Sequence, residues 1–115
     1  KVQTLLKQYG VKAVFTGHHH ISTRVQEVGG VFHIVHPSIS TYPMRFTVYD
    51  MTPKGLKYEV KDVPATAEVW SLAKKNFLAD KWWRDADQPD TPEGNRRYLE
   101  FYESTGTMSG SVIFK

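Results

Sequence analysis

The sequence predicts an α/β fold, on three observations. The chain opens with a helical apolar stripe that runs straight into a short apolar strand. Four further strand-like runs come next, punctuated by turn signals, as far as Val63. At Pro64 the hydrophobic period changes from two residues to about 3.6, and a helical tail begins. The expected division is a sheet-centred part over 1–63 and a helical C-terminal extension over 64–115.

Val2, Leu5, Leu6 and Tyr9 fall at i, i+3, i+4 and i+7, the stripe of a short amphipathic helix, and Gly10 suits the position just past its end. The run from Val11 to Thr16 is short, apolar and rich in strand formers, so it reads as a buried strand. A helix, a tight turn and a buried strand make half of a βαβ unit. A preceding strand is therefore expected before Lys1, and the chain reads as a piece of a longer protein. Thr23 to Val28 and Val31 to Val35 flank Gly29-Gly30, a two-residue hairpin signal. Pro37 to Pro43 is a loop. From Arg45 to Asp50, Phe46 and Val48 alternate with Arg45, Thr47 and Tyr49. Thr52-Pro53-Lys54-Gly55 then turns the chain into a strand where Leu56, Tyr58 and Val60 alternate with charged residues. Together these runs predict a β-meander on the edge of a sheet.

In the tail, Thr66 suits a helix cap with Glu68 in the first turn. Val69, Trp70, Leu72, Ala73 and Phe77 give the apolar face of that helix, which extends toward Trp83. Asp85 to Pro92 is an acidic loop. Thr91-Pro92-Glu93 starts a second helix, with Pro at its first position and Tyr98, Leu99, Phe101 and Tyr102 on its buried side. The segment from Thr105 to Lys115 is Gly- and Ser-rich and then apolar, which fits a short strand or a frayed end.

Composition narrows the function classes. Hydrophobic content of 40% with 13% aromatics is enough for a core and excludes wholesale disorder. The net charge of +3 is mild and its Lys and Arg residues are scattered, so there is no nucleic-acid-binding signature. No apolar run approaches the ~18 residues of a membrane span, and no secretory leader is visible. With no cysteine there are no disulfides and no thiolate zinc site, and the chain carries no mark of redox compartment, cytoplasm or cell envelope alike.

The residues that carry chemistry are Gly17-His18-His19-His20, directly after the first strand. In an extended segment, His18 and His20 at i, i+2 point the same way and His19 the other way. Neutral imidazole is the commonest protein ligand for several divalent metals. A glycine at a strand end lets the backbone turn where ligands collect in α/β sheets. His-x-His is also what a polar surface loop carries, and the strand-Gly context is what favours the metal.

That context, Val14-Phe15-Thr16-Gly17-His18-His19-His20, resembles the last motif of the calcineurin-like metallophosphoesterases, strand-G-H-x-H. The elements after the motif are similar too: a hairpin, the loop from Pro37-Ser38 to Tyr42-Pro43, the Arg45-Phe46 strand, and a strand after Thr52-Pro53-Lys54-Gly55. The likeness covers about Lys1 to Val63. It implies the C-terminal half of a metallophosphoesterase-type sheet sandwich. It also implies two divalent ions, Mn, Fe or Zn, with His18 on one, His20 on the other, and no role for His19. In that family a metal-bridging hydroxide attacks a phosphoester. The family's carboxylate motifs, D-x-H, G-D-x-x-D and G-N-H-[DE], are absent here, and two imidazoles cannot hold two hard divalent ions without carboxylates. The parent is thus expected to be a phosphohydrolase or phosphodiesterase acting on a small phosphoester, and the 115-residue chain itself to be inactive. The alternative is a non-catalytic interaction or dimerisation module whose histidines are incidental.

Other candidates are weaker. His33 and His36 point to opposite faces of an extended chain and make a poor ligand pair. Ser38 and Tyr42 lie on a loop that lines a substrate pocket or is a plain crossover. Asp85, Asp87, Asp90 and Glu93 lack the glycine of a calcium-binding loop and read as a solvated loop. Trp70, Phe77, Trp82, Trp83, Tyr98, Phe101 and Tyr102 concentrate aromatics in the tail. Core packing is their default, and self-association their functional reading.

Overall fold

The computed structural model describes residues 1–80 and 90–115. The protein is α/β, with two three-stranded sheets and three helices among the described residues. Helix α1 (Val2–Gln8) leads into β1 (Ala13–Thr16), β2 (Arg24–Val28) and β3 (Val31–Val35). Then come β4 (Arg45–Thr52), β5 (Gly55–Asp62), α2 (Ala67–Ala79), α3 (Pro92–Ser104) and β6 (Ser109–Ile113).

Local chemistry sets the ends of these elements. Gly10, at φ 67°, closes α1: its N–H and that of Val11 donate to Lys7 O and Leu6 O, so two end carbonyls are satisfied. Gly29 and Gly30, at φ 57° and 86°, supply the left-handed pair that a two-residue hairpin between β2 and β3 requires. Thr66 and Thr91 cap α2 and α3 by accepting from the N–H groups of Val69 and Gly94.

The strands form sheets in the orders β1-β3-β2 and β4-β5-β6. β1 runs parallel to β3, and the other pairs are antiparallel. The sheets face each other through Phe32 and Ile34 of the first and Leu56 and Tyr58 of the second. A second cluster joins Phe77 of α2 and Tyr98 and Tyr102 of α3 to Ile21 and Tyr42 of the sheet-bearing part. Phe77 and Tyr98 stack with centroids 4.8 Å apart at 8°, and Tyr102 meets both rings edge-on.

Several expectations are corrected. The strands do not form one meander, because β3 and β4 belong to different sheets. The loop between them carries the chain across, with Met44 in the left-handed region at φ 45°. Among the described residues β1 pairs only with β3, and it is not buried: Phe15 is 41% exposed. In β4 Val48 is exposed, while Thr47 and Tyr49 are partly buried, with Tyr49 packed beside Tyr58 across the pair. Val69 and Leu72 of α2 and Phe101 of α3 are exposed, so each helix buries a narrower stripe than its apolar pattern suggests. The last residues form a true strand, β6, paired with β5. Gly110 is what lets it lie there: a Cβ would stand 2.6 Å from the Tyr58 ring carbon that bears the hydroxyl. The expectations for Trp82, Trp83, Asp85 and Asp87 lie outside the described residues. No helix among the described residues is long and apolar enough to cross a membrane.

Candidate metal centre

The histidine loop leaves the carboxyl end of β1. Because β1 and β3 are parallel, that end lies beside the carboxyl end of β3, and the His36 N–H donates to Thr16 O at 2.8 Å. Beyond Thr16 the backbone is not extended. His18 and His20 stand at φ 80° and 56°, in the left-handed region that side chains other than glycine seldom occupy. The period-two argument for a shared direction therefore does not apply, and two bends rather than a pleat present the imidazoles. Such backbone costs on the order of 1–2 kcal/mol per residue and persists only where the surroundings hold it.

His18 and His19 are exposed, with rings edge-to-face at 5.7 Å, and His20 is partly buried. Burial, then the charge of His18 and of His19, lowers the pKa of His20 below the ordinary imidazole value. A neutral ring is the form that ligates a metal.

What holds the loop is the next three residues. Ile21, Ser22 and Thr23 are all buried. Ile21 sits in the aromatic cluster of α2 and α3. Ser22 Oγ accepts from Arg45 Nη1 at 2.6 Å, and the same nitrogen donates to Glu103 O at 3.0 Å. The carbonyl of Thr23 accepts from both the N–H and the Oγ1 of Thr107, at 2.8 and 3.1 Å. Thr23 Oγ1 and Thr47 Oγ1 are 2.9 Å apart. The foot of the histidine loop is thus fastened by β4, by the end of α3 and by the residues leading into β6. Nothing in the sequence pattern singles out Arg45, Thr107 or Glu103 for this role; the sole hint is a glycine, Gly106, at the end of a helical pattern.

The other candidates fall in separate places. His33 lies on one face of β3 with Nε2 3.1 Å from Gln3 Oε1 of α1. His36 lies on the other side, against the rings of Phe15 and Tyr49, and burial lowers its pKa. Ser38 Oγ accepts from the N–H groups of Ser40 and Thr41 and so shapes its own turn. The Tyr42 hydroxyl donates to Glu103 and its ring packs on Trp70 and Phe77. Burial and that bond raise its pKa well above the usual phenol value. A small cleft of about 170 Å³ beside it is lined by Thr41, Ala73, Asn76 and Asp80. Of the tail aromatics, Phe77, Tyr98 and Tyr102 turn inward and Phe101 stays exposed.

Among the described residues no group of three or more His, Asp or Glu side chains is placed to hold a metal ion. The residues present do not by themselves fit a two-ion centre. No protein-family model, curated protein or solved structure matches this chain.

Proposed function

We propose that the chain is the C-terminal part of a calcineurin-like phosphohydrolase, to whose two-metal centre it contributes His18 and His20. The substrate is a small phosphoester, and the carboxylate ligands belong to sequence outside these residues. One observation carries the reading: Gly17-His18-His19-His20 leaves the carboxyl end of a strand parallel to β3, in one of two facing sheets. The fastening of Ile21 to Thr23 supports it, since a strained loop with a rigid foot suits a site that must hold ligands in place.

In this reading the 115-residue chain does not hydrolyse a chromogenic phosphodiester, and turnover by the chain alone would refute it. Zinc should bind weakly, and histidine NMR signals should report the binding. His18→Ala and His20→Ala should each abolish the response, and His19→Ala should keep it. In the longer parent the same two substitutions should abolish hydrolysis. Intact activity in both would overturn the assignment.

The exposed stripe of α1 favours a second reading. Val2, Leu5 and Tyr9 are 71%, 50% and 77% exposed. That surface suits a non-catalytic interaction module. Loss of self-association on Leu5→Ser, with no effect of His18→Ala on any activity of the parent, would favour that module.

A further inference from the structure

A groove of about 430 Å³ lies against the β2–β3 pair of the first sheet. Arg24, Gln26, His33 and Val35 form its floor, with Val25, His19 and Ile21 completing the lining. The register explains the floor: Gln26 pairs with His33 and Arg24 with Val35, so alternation puts all four on one face. His33 is held there by Gln3, whose carboxamide oxygen can only accept, so Nε2 donates.

The charge of this groove is one-sided. Of the Lys, Arg, Asp and Glu side chains among the described residues, Arg24 alone lines it. Glu27 pairs with Lys115 at 3.0 Å and does not line the groove. No carboxylate lines it, and Arg24 has no acidic partner among the described residues. The guanidinium thus offers a donor fork with its charge uncompensated, the geometry that oxyanions accept. Gln26 and His19 add an amide and an imidazole to the lining. With Arg24, these side chains offer enough donors for the several oxygens of a phosphoryl group. The volume lies within the ~300–1,000 Å³ of small-molecule sites and exceeds what a bare anion fills. Ile21 and Val35 leave apolar wall for an organic body.

We infer that this groove binds a small organic phosphate, anchored by Arg24 and flanked by Gln26 and His19. Neither His18 nor His20 lines it, so the site does not depend on the metal assignment. The test is an NMR titration of the metal-stripped chain with phenyl phosphate at fixed ionic strength, with benzoate and sodium chloride as comparators. Expected are saturable shifts confined to His19, Arg24, Gln26 and His33, weaker binding of benzoate, and no saturation with chloride. Arg24→Gln should weaken phenyl phosphate about tenfold or more, the worth of one charge-assisted hydrogen bond. Arg24→Gln should leave the zinc response of the wild type in place while weakening phenyl phosphate, so the two assignments fail separately. Non-saturating shifts spread over the lysines and arginines, or an Arg24→Gln affinity equal to wild type, would overturn the inference.

Discussion

Gly106 is the residue on which the fastening of the histidine loop turns, and Gly106→Ala tests that directly. Its φ is 91°, so an alanine there carries a dihedral cost of about 1–2 kcal/mol. The added Cβ would also stand 2.4 Å from Ser22 O, 2.7 Å from Ser22 C and 2.9 Å from Thr23 O. All three atoms are backbone, so no side-chain rotation relieves the overlap. Either the overlap stays, at roughly 1–3 kcal/mol, or Thr107 retreats and its two bonds to Thr23 O weaken, at about 1 kcal/mol each. The whole change is then about 2–5 kcal/mol. Gly30→Ala isolates the contact: its φ is 86°, nearly the same, and nothing lies within 4 Å of the added carbon. Effects on the unfolded chain are common to both substitutions. Urea unfolding should therefore place Gly106→Ala below Gly30→Ala by about 1–3 kcal/mol. Amide exchange at Thr107 should speed up in the first and not in the second. Equal stabilities would refute the close approach of the tail to Ser22.

Phe77→Ala should cost about 3–5 kcal/mol, because Phe77 is buried between Tyr98, Tyr102 and Tyr42. Phe101→Ala, at a half-exposed site, should cost under about 1 kcal/mol in the same urea experiment. Burial lowers the folded-state pKa of His36, so the unfolded chain takes up this proton first as pH falls. Stability should be fully present above about pH 6.5, decline as pH drops below that, and level off below the lowered value. His36→Gln should flatten that part of the urea-midpoint profile, and an unchanged slope would refute the contribution of His36.

Much of the fold was legible because its signals are local. Gly10, Gly29-Gly30, Thr66 and Thr91-Pro92 each act within a few residues, and each sits at the turn or cap its chemistry indicates. Alternation of Leu56, Tyr58 and Val60 read correctly because β5 is the middle strand of its sheet, with one face fully covered. Alternation in β4 misled, because Tyr49 is amphipathic and buries its ring while apolar Val48 faces water. The change of sheet between β3 and β4 has no local signal. Nor has the pairing of β6, whose partner lies half the chain away. At the histidine loop the strand end was legible, but the left-handed backbone at His18 and His20 was not, since tertiary contacts rather than propensity hold it.

The bond from Thr107 to Thr23 spans 84 positions of sequence. A closure that long is slow to form and comes after the local turns and hairpins. During synthesis at about 5–20 residues per second, roughly 4–17 s separate the emergence of Thr23 from that of Thr107. Through that interval the histidines are already made, yet the Thr23 carbonyl beneath them lacks the Thr107 donors that fix its course. A nascent chain arrested before Gly106 should be cut by protease near Ser22, and one extended past Gly110 should resist. The foot of the histidine loop is completed by a segment made 84 positions after it.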